Sequence, residues 1–277
     1  MIVWLASYPK SGNTLLRSIL ATYLYSSDGR VKFDHLYKIK QFPAIEDFKK
    51  LKIDMSNEKE VFANFIEAQK IINEDKKVKF IKTHSSLSKI NNCNFTDFKN
   101  SLGAIYIVRD PRNVVTSYAH HYSIGVDEAF IQMTDQELFL SKTEIHPEVF
   151  ISSWRLNYLS WKKASIPVLI VKYEDLIKNT KEKLIEVLNF FQTLGMNKSL
   201  YDDKKLENVI KSTQFSNMQK LEKEIGFNES VIDKKTNKKK AFFNLGPSNN
   251  WKTTLDTKLT NKIEESFSKE MEELGYL

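Results

Sequence analysis

The sequence predicts an α/β fold in three layers, a central parallel sheet with helices on both faces. Short apolar and β-branched runs at 1–6, 78–82, 103–108 and 167–171 read as strands. They alternate with polar turns and helical periodicity at 13–25, 111–124 and 180–195, the pattern of βαβ units. The three most unusual stretches, "SYPKSGNT", "KTHSS" and "RDPRNVVTS", each follow one of the first three runs. In parallel sheets, ligands bind at those carboxyl ends of the strands.

Taken in order, "MIVWLA" is the first strand and "SYPKSGNTLLR" its exit into a helix. Packing alone does not ask for Pro9, Lys10, Ser11 and Gly12 in a row, whereas a loop that holds an anion does. Backbone amides of Ser11, Gly12, Asn13 and Thr14 would point from the helix N-terminus at a phosphate, aided by the helix dipole. Gly12 lets the main chain approach, Lys10 adds a charge and Thr14 a hydroxyl. The order differs from a Walker A loop, in which Lys follows the second glycine. A simple capped turn would need neither Lys10 nor Pro9.

Helical periodicity at 58–73 precedes the second strand, which ends in "KTHSS". His84 there has the side chain whose ordinary pKa suits proton transfer near neutrality. The third strand ends at Arg109, whose planar fork suits a phosphate dianion. Asp110 and Pro111 start the next helix, and Ser117 lies two turns along it. Helical patterns at 127–140 and 147–163, a fourth strand, a turn at 173–178 and a final helix at 256–274 complete the reading.

At 277 residues, with no internal repeat, linker or break in composition, the chain reads as one domain, 1–277. No run approaches the roughly 18 apolar residues of a membrane span. The lone Cys93 excludes an internal disulfide, and the N-terminus lacks the basic region and cleavage site of a signal peptide, so a cytoplasmic location is expected. The net charge of +7 comes mostly from scattered lysines and the run "DKKTNKKK" (233–240), which argues against a nucleic-acid partner. Of the five arginines, Arg109 and Arg112 stand within one short motif.

On "YPKSGNT" and "IYIVRDPRNVVTSYAHHY", the chain resembles the sulfotransferases that use 3′-phosphoadenosine 5′-phosphosulfate (PAPS). The resemblance implies the P-loop-like sulfotransferase fold and sulfuryl transfer to a hydroxyl or amine of a small-molecule or sugar acceptor, leaving adenosine 3′,5′-bisphosphate (PAP). It implies that Lys10, Ser11, Gly12, Asn13 and Thr14 hold the 5′-phosphosulfate, and that Arg109 and Ser117 hold the 3′-phosphate. Lys82 and His84 match the family's Lys-Thr-His, which makes His84 the general base, with Lys10 and Lys82 beside the transferring group. Tyr173 in "VKYEDL", with Thr213 and Phe215 in "STQFSNM", would contact the adenine, and Gly246 falls in the family's C-terminal segment. No metal is required by this reading, and monomer and homodimer both stay open.

Two departures stand out. Leu15 replaces a family Trp, and the Arg-Lys pair that grips the 3′-phosphate is Asn244-Leu245 in "NLGPSNNW". Arg112, Lys252 and the lysines at 238–240 are the candidates to replace that pair. Phe33, Tyr37, Phe42, Phe48, Tyr122, Phe130 and Phe139 are candidates for acceptor surface or for core, and His120 and His121 for the acceptor pocket. Two alternatives remain: a P-loop-type nucleotide-dependent kinase, with Asp110 as its magnesium-holding acid, and a catalytically silent binder of nucleotides or polyanions.

Overall fold

Four parallel strands, β1 (Ile2–Ala6), β2 (Lys79–Thr83), β3 (Ser101–Val108) and β6 (Val168–Lys172), form the central sheet in the order β2-β1-β3-β6. A separate antiparallel pair, β4 (Phe139–Leu140) and β5 (Val149–Phe150), lies outside it. This computed structural model describes residues 1–196, 202–231 and 239–277.

β1 explains why its sequence is apolar without alternation: all of its residues are fully buried. Ile2, Trp4 and Ala6 point into one core with Tyr106, Trp154 and Trp161, while Val3 and Leu5 point into another with Leu16, Ile19 and Phe191. A parallel sheet covered on both faces requires such a run. The first face carries α3 (Glu58–Ala63), α4 (Phe65–Ile72), α5 (Pro111–Tyr122), α6 (Val126–Thr134), α7 (Trp154–Lys162) and α13 (Thr257–Glu273). The second carries α1 (Asn13–Tyr25), α2 (Phe33–Tyr37), α8 (Tyr173–Lys178), α9 (Thr180–Thr193), α10 (Asp203–Ser212) and α11 (Phe215–Ile225). A single-turn helix, α12 (Trp251–Thr254), packs on α5.

Register brings the strand ends together. Ala6 pairs with Thr83 on one side and Tyr106 on the other, and Val108 pairs with Lys172. The segments that begin at Ser7, His84, Arg109 and Tyr173 therefore leave the same edge of the sheet.

Several expected boundaries differ. The 58–73 pattern is two helices, broken at Asn64 (φ −103°, ψ 7°). The 127–140 pattern stops at Thr134, because Phe139 joins β4 and packs on Phe150 with ring centroids 4.9 Å apart. The helix expected from 147 starts at Trp154, since Ser152 holds a left-handed φ of 57° and the Ser153 hydroxyl accepts the Leu156 N–H at 3.2 Å. Residues 173–178, expected as a turn, form α8.

Candidate active site

The loop after β1 is built for close approach. Lys10 holds a left-handed φ of 66°, a conformation that is costly for a residue with a side chain. Gly12 has φ 103°, and a Cβ there would lie 2.3 Å from Tyr173 Cδ2. Gly12 is the N-cap of α1 and supplies no side-chain cap, which leaves the first-turn amides facing the cleft. The Ser11 hydroxyl is buried beneath the loop without a hydrogen-bond partner. Asn13 turns inward instead: its Nδ2 donates to Leu5 O at 2.9 Å and Ser7 Oγ at 3.2 Å, so its side chain braces the loop and only its backbone amide faces outward.

Arg109 spans the cleft floor. Its Nη1 donates to Lys10 O at 3.3 Å and its Nη2 to Gly246 O at 3.4 Å, while its Nε is buried without a partner. The guanidinium carbon stands 4.3 Å above the Tyr173 ring, a cation–π contact. Gly246 (φ 51°) packs so tightly on Phe215 that a Cβ would sit 2.2 Å from its ring.

His84 is oriented through one ring nitrogen. Nδ1 lies 2.9 Å from Ser7 O and 3.2 Å from Ser7 Oγ. Because the carbonyl can only accept, Nδ1 carries the proton and Nε2 keeps its lone pair. Burial, then the charge of Lys82, lowers the imidazole to about 3, so it is neutral near pH 7. Lys10 is lowered to about 8, by burial first and then by Lys82 and Arg109.

One cleft of about 1440 Å³ is lined by Lys10, Gly12, Asn13, Thr14, Lys82, His84, Arg109, Ser117, Tyr173, Thr213, Phe215 and Gly246. Of the predicted site residues, Ser11 alone lies beneath the lining. Thr213 spends its hydroxyl on Val209 O at 2.7 Å. His120 and His121 also line the cleft. Burial first, then Lys10 and Lys82, holds His121 down to about 3.

Among the described residues, none of the candidates to replace the Arg-Lys pair lines the cleft. Arg112 clasps Asp110 through Nε at 3.0 Å and Nη2 at 2.7 Å, and also bonds Glu264 and Tyr276 O. Lys240 Nζ donates to His120 O and Ser123 Oγ, and neither Lys239 nor Lys252 lines the cleft. Lys238 lies outside the described residues, as does most of the 233–240 run. Asp110 is equally committed, since it caps α5 by accepting Arg112 N at 2.9 Å, and it does not line the cleft as a magnesium ligand would. Of the acceptor candidates, Phe33, Phe42 and Phe48 are core and Phe130 and Phe139 pack against it, leaving Tyr37 and Tyr122 in the cleft. Among the described residues no helix is long and apolar enough to cross a membrane.

Two site residues, Glu229 and Arg17, escaped sequence reasoning. Glu229 enters the cleft between Arg17, which it pairs with through Oε1, and Lys82, whose Nζ is 3.5 Å from Oε2. Burial alone would raise the carboxyl, but Lys82 and Arg17 outweigh it and bring it down to about 2. No local pattern marks Glu229, because its partners lie far away in sequence.

A family model described as the sulfotransferase domain matches residues 2–275. Sulfotransferase 1 family member D1 of Mus musculus is 24% identical over 278 residues, covering 98% of this chain and 83% of the relative. Sulfotransferase 1A1 of Canis lupus familiaris is 25% identical over 275 residues, with the same coverage of 98% and 83%. The crystal structure of mouse sulfotransferase SULT7A1 complexed with PAP superposes with a TM-score of 0.60 at 19% identity, covering 97% of this chain and 83% of that one. Retinol dehydratase in complex with androsterone and PAP gives 0.59 at 15% identity, covering 98% and 80%.

Proposed function

The chain belongs to the sulfotransferase-domain family, and we propose that it transfers a sulfuryl group from PAPS to a hydroxyl or amine of a small-molecule or sugar acceptor, with His84 as general base. It would act in the cytoplasm as a single domain spanning 1–277. The observation that carries this reading is the tautomer of His84, fixed by Ser7 O with the Nε2 lone pair left over, in a residue that lines the same cleft as Lys10 and Arg109.

The residues present fit the donor. The unpartnered buried groups Ser11 Oγ and Arg109 Nε, and the space that a Cβ on Gly12 would fill, suit a ligand rich in anionic oxygens. When bound, PAPS supplies an activated sulfuryl group on a phosphate leaving group. Lys10 and the amides of Gly12, Asn13 and Thr14 would hold its 5′ end, Arg109 and Ser117 its 3′-phosphate, and Tyr173, Thr213 and Phe215 its base, beside Gly246. His84 Nε2 takes the proton from the acceptor hydroxyl. The ammonium groups of Lys10 and Lys82 stand where negative charge builds, so the chain contributes positioning and electrostatic stabilisation. None of these residue roles needs a metal.

A transfer assay with radiolabelled PAPS across phenols, aliphatic alcohols, amines and sugars tests the reading. His84→Ala should lower kcat by about 10²- to 10⁴-fold, as expected for a lost general base. Unchanged kcat would remove His84 from that role.

A further inference from the structure

Three cations gather at one end of the cleft: Lys10 from the loop after β1, Arg17 from the second turn of α1, and Lys82 near the end of β2. Arg17 and Lys82 are buried, with relative exposures of 3% and 7%. Like charges so placed repel, and burial adds a desolvation cost for each of them. Glu229 is the carboxylate set among them.

Packed neighbours hold the segment that delivers it. Phe227 is fully buried, with ring centroids 4.7 Å from Phe33 and 4.9 Å from Phe242. The Asn228 N–H donates to the Tyr37 hydroxyl at 3.4 Å, and Ser230 Oγ bonds Glu222 at 2.7 Å. The carboxylate then divides its oxygens unequally. Oε1 makes the close pair with Arg17, while Oε2 stands 3.5 Å from Lys82 Nζ, a looser contact that leaves ammonium protons for another partner.

We propose that Glu229 is a positioning residue for the transfer: anchored by Arg17, it keeps Lys82 protonated and in place beside His84 before an anionic ligand arrives. The link to turnover rests on the sulfotransferase reading of Lys82 and His84, whereas the charge claim stands on the ion pairs alone. The other groups facing this cluster do not substitute for Glu229. His84, His121 and His146 are all lowered, chiefly by burial, and Tyr37 is raised by burial, so all four are neutral near pH 7. Lys10 and Arg17 share Lys82's sign. Burial already lowers Lys82, and Glu229 opposes that shift.

The test begins without ligand. In ¹³C-lysine-labelled protein, the Lys82 side-chain signal, assigned with Lys82→Arg, is titrated in wild type, Glu229→Gln and Glu229→Asp, with thermal melts confirming the fold. Loss of the carboxylate should lower the Lys82 midpoint by about 1–3 pH units, the shift an opposite charge at this range produces. Glu229→Asp should give a smaller shift in the same direction, and it carries the test if Glu229→Gln does not fold. A Lys82 midpoint unchanged in folded variants overturns the proposal. Calorimetry of PAPS at pH 8.5 in buffers of different ionisation enthalpy supplies the second readout. Glu229→Gln should take up about one more proton on binding than wild type, because Lys82 must now be charged by the ligand. Equal proton uptake also overturns the proposal, whereas wild type that fails to bind PAPS sinks the sulfotransferase reading and leaves the ligand-free titration standing.

Discussion

At one end of the cleft, Lys10, Arg17 and Lys82 meet a helix N-terminus and the unpartnered Ser11 hydroxyl; at the other, around Gly246, the lining is Phe215, Phe243, Asn244 and Leu245. Arg109 connects the two through Lys10 O and Gly246 O. The first end is dense in charge, and the second is aromatic and neutral. On the proposed function, the β1 loop and Arg109 would therefore carry most of the grip on an anionic nucleotide. The segment that bears an Arg-Lys pair in the family contributes shape here: Gly246 admits the Phe215 ring and returns a carbonyl to Arg109.

Arg109, which touches both ends, is the most sensitive position. Arg109→Leu should weaken PAP binding by about 1.5–3 kcal/mol for each charged hydrogen bond lost, roughly ten- to a hundred-fold in Kd per bond. Titration calorimetry reads the effect, and a loss smaller than threefold would mean that the 3′-phosphate lies elsewhere. A paired substitution gives the neutral end its charge. Asn244→Arg with Leu245→Lys should tighten PAP by roughly ten-fold, the value of one such bond, and leave AMP unchanged. Equal gains for both nucleotides would point to non-specific attraction.

A third effect falls on stability rather than on binding. His84 and His121 are held down to about 3, against about 6.5 for an unfolded histidine. Their folded pKa values lie below the unfolded one, so the unfolded chain binds more protons in between. The neutral-pH stability is therefore complete above pH 6.5 and is lost as pH falls toward 3. Glu229, at about 2, adds a second loss below its ordinary carboxylate range near pH 4.5. Tm measured at pH 7.5, 5.5 and 4.5 should fall at each step, and His121→Phe should flatten the first part of that fall. A Tm flat down to pH 4.5 would contradict the burial of both imidazoles.

The β1 loop, "KTHSS" and "RDPRN" were legible because each follows an apolar strand and spends a scarce residue, glycine, histidine or arginine, where packing needs none. Parallel register then places them on one edge of the sheet, as the βαβ alternation implies. Arg112, a candidate to replace the missing Arg-Lys pair, is instead held by Asp110, two residues away. The split of the 147–163 pattern depends on the left-handed Ser152, which apolar periodicity does not register. The Arg17–Glu229 pair joins residues 212 apart, and Phe227 packing rather than any local spacing delivers the carboxylate. Such groups become visible only once the chain has folded.

On the proposed function, one cleft would grip both phosphates of a single nucleotide, one near Lys10 and the other near Arg109. Side-by-side calorimetry of wild-type protein with PAP and with AMP tests it most directly. PAP should bind at least roughly ten-fold more tightly, the value of one charged hydrogen bond to the added phosphate. Equal affinities would mean that the cleft makes no contact with the 3′-phosphate.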